Sequence, residues 1–266
     1  MRYGIFTFSL LLLLLTHTAQ AELQIFPLRV TLSDKERSTQ ISLRHKGPKA
    51  ERYRITTVFY KMEADGAMKL IEKTTPDDRD GSKYFRFSPR QVTLEPQIEQ
   101  VVRLMARVPA DLPEGEYRCH LHFEAMSDAE DSLVEGKTNS GAQMMLKARM
   151  AIAIPVIIKK GSTSFKVSLD KFKINKGPDG NYSFSVDMKK EGNGFAYGNL
   201  EIVSTGENGA TESLATINGI SSYIEQRSIK MPLQIKALPS GKIKILFKDA
   251  ASANEEILAS TNLTSP

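Results

Sequence analysis

The amino-acid sequence predicts an all-β protein that is built from two β-sandwich domains. Apolar and polar residues alternate in many short segments, and no segment after the first 21 residues has the apolar period of a helix of normal length. Alternating residues point to opposite faces of a strand, so these segments are typical of half-buried antiparallel strands. Turn residues recur roughly every ten positions, a spacing that favours a β-sandwich.

The first residues have the pattern of a secretory signal peptide. Arg2 gives the amino-terminal end a positive charge, residues 5–15 form an apolar run, and residues 19–21 read Ala-Gln-Ala, a small-residue cleavage site. We therefore expect export with cleavage after Ala21, which removes residues 1–21. The apolar run is too short to cross about 30 Å of hydrocarbon, so we expect no stable membrane insertion.

The first domain is predicted to span residues 22–160. Pro27 interrupts its first strand, and residues 126–141 are polar, acidic and without periodicity, which is typical of a mobile loop. The predicted strands are residues 23–32, 39–44, 52–62, 68–72, 84–87, 92–94, 100–108, 116–123 and 143–158. The second domain is predicted to span residues 161–266, with strands at residues 165–169, 182–189, 198–203, 212–217, 228–233 and 242–249 and a last short strand after residue 256.

The composition excludes several classes of function. Acidic and basic residues are interspersed at a calculated pI of about 9.1, so no basic stretch indicates nucleic-acid binding. Cys119 is the single cysteine, so no intramolecular disulfide can form and both cores depend on packing. It shares a strand face with Tyr117 and Leu121, which favours a buried small side chain over a reactive thiol.

The polar face of the strand at residues 116–123 leaves two interpretations open. It carries Arg118 and His120, followed by His122 and Glu124. A strand face in water explains these residues, and so does a metal site, because the spacing of His120, His122 and Glu124 puts three possible metal ligands on one face. The sequence offers no evident fourth ligand and no catalytic motif, so we predict no metal, no cofactor and no enzyme activity.

Residues 143–158 (QMMLKARMAIAIPVII) form an unusually long predicted strand with a continuous apolar face. That face consists of Met144, Leu146, Ala148, Met150, Ile152 and Ile154. An ordinary core strand would pack this face inward. An exposed edge strand would instead lend it to another chain, and such edges aggregate unless they have a dedicated partner.

Two motifs give the chain a specific resemblance. The first consists of Ser88, Pro89, Leu94, Pro96, Gln100, Val102 and Arg103, and the second of Gly115, Glu116, Tyr117, Arg118, His120 and Leu121. Together they resemble the periplasmic chaperones that assemble pili by the chaperone–usher route. The resemblance implies two immunoglobulin-like domains in an L-shaped (boomerang) arrangement, a periplasmic location, and pilin subunits and an outer-membrane usher as partners.

The resemblance also implies a mechanism and a site. In this family the chaperone inserts an edge strand into the incomplete sandwich of a subunit, and alternate side chains replace the missing core residues. The apolar face of residues 143–158 matches that donor strand. A basic pair in the cleft anchors the subunit's carboxyl terminus, and Arg29 matches its first member. The second member is a lysine on the donor strand, which this sequence lacks. Either Lys159, Arg149 or Lys147 takes its place, or the chain represents a divergent branch that anchors the subunit mainly through the donor strand. The competing prediction is an exported, non-catalytic binding module or adhesin.

Overall fold

The computed structural model describes residues 23–126, 134–137, 143–146, 151–252 and 254–264, the two short middle ranges by their backbone only. In this part of the chain the only helical element is a 3-10 turn at Pro76–Asp78, so the all-β prediction is confirmed. No helix among the described residues is long and apolar enough to cross a membrane. The predicted signal peptide and its cleavage site lie outside the described residues.

The first half of the chain forms two facing sheets and a small hairpin. One sheet has the order β1-β3-β8-β6, the other has the order β2-β12-β9-β4-β5 with β7 also on β4, and β10 pairs only with β11. The strands are β1 (Leu23–Phe26), β2 (Val30–Ser33), β3 (Ser38–His45), β4 (Glu51–Met62), β5 (Met68–Ile71), β6 (Phe85–Ser88), β7 (Gln91–Leu94), β8 (Glu99–Ala106), β9 (Gly115–Ala125), β10 (Val134–Lys137), β11 (Gln143–Leu146) and β12 (Ala151–Lys160).

A single apolar core fills the space between the two facing sheets. Alternate residues of the strands supply it, as the period of two requires, and Leu121 and Phe123 of β9 are fully buried there. At the start of β9 the Tyr117 hydroxyl donates a hydrogen bond of 2.9 Å to the Pro113 carbonyl. Because Cys119 follows two residues later on the same strand, this is the tyrosine corner of immunoglobulin-like sandwiches.

The first predicted strand divides at Pro27 into two strands that belong to different sheets. β1 pairs with β3, whereas β2 lies parallel to β12, with Val30 opposite Val156. Proline lacks the N–H that a ladder needs, so the chain leaves one sheet here and joins the other. Arg29 lies at this crossing, directly before β2.

One prediction for residues 126–158 is wrong. The stretch expected to be an irregular loop contains β10, which pairs antiparallel with β11. The stretch expected to be one strand contains two described strands with different partners, since β11 pairs with β10 and β12 pairs with β9; residues 147–150 between them lie outside the described residues. Alternation alone indicates that a segment is extended, but it does not say which partner the segment takes.

The second half of the chain forms another sandwich with a separate core. Its strands are β13 (Lys166–Lys176), β14 (Tyr182–Glu191), β15 (Ala196–Thr205), β16 (Thr211–Ser222), β17 (Gln226–Leu233), β18 (Lys242–Asp249) and β19 (Ile257–Asn262). They make sheets of order β13-β14-β17 and β16-β15-β18-β19, and Phe172, Phe184 and Phe247 are fully buried between them. All seven strands were expected near these positions, because turns rich in glycine separate them.

Candidate functional site

Among the described residues, the first half of β12 has one edge without a strand partner. All ten residues of β12 pair with β9, but β2 covers the other side only from Val156 to Lys159. In the described part of the chain, residues 151–155 therefore have no strand on that side. Ala151 and Ala153 are exposed here and Ile152 is half-buried. A free edge of this kind offers backbone N–H and C=O groups to the strand of another chain.

The predicted donor residues fall into three groups. Met144 and Leu146 belong to β11, whose backbone alone is described, and Ala148 and Met150 lie outside the described residues. Ile152 packs against the edge of the first core, and Ile154 is 2% exposed within it. The expectation that Ile154 faces a partner is therefore wrong, since the side chain belongs to the protein's own core.

Arg29 lies in the cleft between the two sandwiches and faces aromatic residues of the second one. Its guanidinium stacks on Tyr197, with Cζ at 4.3 Å from the ring centroid, and its Nη1 donates to the Tyr223 hydroxyl at 3.4 Å. The preceding Phe26 and Leu28 are 75% and 68% exposed. The corner that carries Arg29 thus presents a charge beside an apolar surface.

Arg118 is a second arginine of this cleft, and it is almost fully enclosed. It is 3% exposed, its Nη2 donates to the Tyr60 carbonyl at 2.6 Å, and its Cζ lies 3.9 Å from the centroid of the Tyr223 ring. Its Nε and Nη1 are buried and have no hydrogen-bond partner. Burial favours the neutral form and lowers the pKa of Arg118 to about 10.

His120 lies two residues further along the same face of β9. It is 7% exposed, meets the Tyr60 ring edge-on at 5.0 Å between centroids, and its Nδ1 has no partner. Burial, with the positive charges of Arg118 and Arg29, lowers the pKa of His120 to about 3, so the ring is neutral near pH 7. The interpretation of this face as a solvated one is wrong at Arg118 and His120, because Arg118 packs on Tyr223 of the second sandwich and His120 packs on Tyr60 of β4. Within the described residues no three His, Cys, Asp or Glu side chains are placed to hold a metal.

Lys159, one of the residues suggested for the second cleft cation, is engaged elsewhere. Its Nζ pairs with Glu116 Oε1 at 3.1 Å, and the other oxygen of Glu116 accepts the backbone N–H of Phe195 in the second sandwich at 2.7 Å. Glu116 is 4% exposed, so this ion pair helps to join the two halves of the molecule. Lys147 and Arg149 lie outside the described residues.

The sequence patterns do not identify Arg118, His120 and Tyr223 as residues of the cleft. For Arg118 and His120 the sequence contains a weak signal. The strand is long enough to be a buried one, and two charged or polar residues are unusual in a buried strand. Tyr223 gives no signal, since it precedes β17 in the other sandwich and no local pattern places it beside β9.

No protein-family profile and no curated protein matches the chain. Among solved structures, it resembles a chain of the CsuC–CsuE chaperone–tip adhesion subunit pre-assembly complex of Acinetobacter baumannii, with 14% identity, a TM-score of 0.48, and coverage of 92% of this chain and 99% of that one. The class 5 fimbriae chaperone CfaA is 15% identical with a TM-score of 0.47, and 92% of this chain and 100% of that one are covered. The Escherichia coli chaperone DraB is 10% identical with a TM-score of 0.43, with coverage of 91% and 98%.

Proposed function

We propose that this protein is a periplasmic chaperone of pilin subunits, that it binds them by donating an edge strand, and that it delivers them to an outer-membrane usher. The observation that carries the proposal is the free edge at residues 151–155, which leads directly to a cleft containing Arg29 and Arg118. The motifs shared with chaperones of the chaperone–usher route and the predicted signal peptide support the same function.

Physical chemistry explains how such an edge would hold an incomplete sandwich. Backbone hydrogen bonds would extend the subunit's sheet along β12, while apolar side chains before it would fill the subunit's groove. Each buried Leu, Ile or Met would contribute roughly 1.5–3 kcal/mol. Since Ile154 serves the protein's own core, the proposed donor face consists of Met144, Leu146, Ala148, Met150 and Ile152. The exposed Phe26 and Leu28 lie beside Arg29 and would add apolar contact.

Release of the subunit would not need a nucleotide. The sequence has no phosphate-binding loop, and the periplasm is not expected to offer ATP. A subunit would leave by exchanging the donated strand for a better-fitting strand of its neighbour. Ala148 is the smallest residue of the proposed face, so it would fill its pocket incompletely and leave room for such an exchange.

The function is tested by co-expressing the chain in the periplasm with a candidate pilin subunit and measuring co-purification. Leu146→Asp and Met150→Asp should abolish capture, because a carboxylate buried without a partner costs several kcal/mol. The matched control is Ala153→Asp, which places the same charge on the exposed, opposite side of β12 and should leave capture unchanged.

Circular dichroism separates the outcomes of this experiment. Capture lost in a folded Leu146→Asp or Met150→Asp protein supports the donor face. Unfolding of these variants, or undiminished capture by both, overturns it and favours an exported binding module whose strand serves only its own core.

A further inference from the structure

The turn between β4 and β5 contacts the second sandwich. Within the turn the Gly66 N–H donates to the Glu63 carbonyl at 2.8 Å, and Gly66 has a φ of +87°. The Ala64 carbonyl accepts the backbone N–H of Ser228 in β17 at 2.7 Å. Among the described strands β17 ends its sheet, with β14 on one side only. The turn of the first sandwich therefore takes up a donor on the open edge of the second.

Arg227, the residue before Ser228, lies on this turn. Gly66 has no side chain, and a Cβ added there would overlap the Arg227 guanidinium. Nη1 of Arg227 donates to the Ser221 carbonyl of its own sandwich. The guanidinium is thus held between a glycine of one sandwich and a carbonyl of the other. Because Tyr223 lies between Ser221 and Arg227 in the chain, the same contact holds the segment that carries Tyr223 to the cleft.

The turn lies away from the covalent link between the sandwiches, which residues 161–165 form after β12. β9 pairs with β12 and β4 pairs with β9, so β4 is two strands, or about 10 Å, from β12. The Glu116 contact lies on β9, between them. A linker alone lets one domain rotate about it. An attachment two strands away opposes this rotation, because the turn must separate from β17 when the second sandwich rotates.

The contact of Arg227 with the turn is only partly satisfied. Its Nε is buried and has no hydrogen-bond partner. Burial lowers the pKa of Arg227, which the charge of Asp65 in the turn opposes. When the contact opens, water reaches the Nε–H, and this gain offsets part of the loss of packing. The contact can therefore open while both cores stay folded.

We propose that the β4–β5 turn and Arg227 form a clasp that fixes the second sandwich relative to the first and keeps Tyr223 over Arg118. In the closed clasp the Arg227 guanidinium occupies the space above Gly66. In the open clasp it leaves this space, the hydrogen bond between Ala64 and Ser228 breaks, and the sandwiches rotate about the linker. The clasp belongs to the free protein, so it does not depend on which polypeptide the cleft binds.

The clasp is tested by hydrogen exchange of the Ser228 amide in the full mature protein, because this N–H donates across it. Gly66→Ala forces the guanidinium out of its place, so we expect exchange about tenfold faster than in the wild type. Arg227→Ala removes the same contact and should accelerate exchange equally. In the double variant the added Cβ meets no guanidinium, so exchange should match that of Arg227→Ala alone.

Gly180→Ala is the matched control. Its turn has the same hydrogen bonds as the turn at Gly66: the Gly180 N–H donates to the Gly177 carbonyl at 3.0 Å, and Asp179 accepts the N–H two residues on, as Asp65 does. Gly180 has a φ of +82°, but a Cβ there meets nothing within 4 Å. This variant carries the same backbone strain without the overlap, so the Ser228 amide should exchange as in the wild type.

Residual dipolar couplings measure the relative orientation of the two sandwiches. The wild type should fit one alignment tensor, whereas Gly66→Ala and Arg227→Ala should each need two. The Val186 amide in the central strand β14 reports in every variant whether the second sandwich stays folded. If Gly66→Ala unfolds, Arg227→Ala carries the test.

Three results overturn the proposal. The first is wild-type exchange of the Ser228 amide in a folded Arg227→Ala protein. The second is faster exchange with a single alignment tensor, because the turn would then fray without releasing the sandwich. The third is an acceleration by Gly180→Ala as large as that by Gly66→Ala, or additive accelerations in the double variant, since either would trace the effect to backbone strain alone.

Discussion

A buried histidine near two arginines makes the free protein sensitive to acid. In the folded state the pKa of His120 falls from an ordinary value of 6.5 to about 3, because burial and the charges of Arg118 and Arg29 disfavour the imidazolium. Between these two values the unfolded chain binds a proton that the folded chain does not. The free energy of unfolding therefore decreases as pH falls from about 6.5 towards 3, and this residue contributes no pH dependence above that window.

We predict that His120→Gln removes part of this acid sensitivity. One proton changes the free energy of unfolding by about 1.4 kcal/mol per pH unit, so between pH 7.5 and 5 the wild type should lose about 2 kcal/mol more than the variant. Urea unfolding at the two pH values measures the difference. His122→Gln, two residues along the same strand and less buried, is the matched substitution with which the slope of His120→Gln is compared. Equal slopes in the wild type and His120→Gln would contradict the depressed pKa.

At the scale of elements, β12 combines two different environments in one strand. Its second half lies between β2 and β9 and is buried on both faces, with Val156, Ile157 and Ile158 inaccessible to solvent. Along its first half, no described strand pairs with the second edge. The buried half fixes the strand in the sheet, so the free half is presented in an extended conformation before any partner arrives. A preorganised edge loses less conformational entropy on binding.

We predict that the boundary between the two halves of β12 lies next to Ile154, so that Ile154→Ala destabilises the protein more than a substitution in the free half does. Ile154 is 2% exposed, so the deletion should lower the free energy of unfolding by about 2–5 kcal/mol. Ile152→Ala is the matched control, since Ile152 only borders the core, and it should cost about 1 kcal/mol. Thermal denaturation of both variants measures the contrast. Similar losses for the two variants would place the boundary elsewhere.

The sequence predicts most of the strands, but it does not show what packs against each of them. The alternation at residues 116–123 predicts β9 and its buried face, because a period of two fixes which side chains share a side. The alternation does not indicate whether the second face of β9 is exposed to solvent or packs against another domain. It therefore does not identify Arg118 as a cleft residue. The sequence also does not show that Lys159 pairs with Glu116, because Glu116 belongs to a neighbouring strand.

At the scale of the whole molecule, Glu116 couples the two sandwiches. It joins Lys159 of β12 to the backbone of Phe195, and Phe195 in turn packs edge-on against Tyr223 at 5.2 Å between ring centroids. Main-chain hydrogen bonds from Glu116 to Asn193 and from Ser228 to Ala64 add to this contact. The position of Tyr223 over Arg118 therefore depends on how firmly the two halves are held together.

We predict that Glu116→Ala weakens this coupling. The Phe195 N–H would lose its acceptor in a buried position, which costs about 1–3 kcal/mol. Calorimetry should show two separated unfolding transitions where the wild type shows overlapping ones. Glu191→Ala is the control, because its ion pair with Lys189 is exposed on both sides, and its loss should leave the unfolding transitions unchanged. A single unshifted transition in Glu116→Ala would contradict the coupling.

The burial of Cys119 has a practical consequence for work on this molecule. The side chain is fully enclosed, and burial raises the pKa of its thiol, so the nucleophilic thiolate form is suppressed in the native state. Because the sequence contains no other cysteine, a cysteine introduced on the surface is the only thiol that a maleimide dye can reach while the protein stays folded. One such position on each sandwich gives a fluorophore pair on an otherwise natural chain. Energy transfer between the two dyes then follows the opening of the cleft in solution, one molecule at a time.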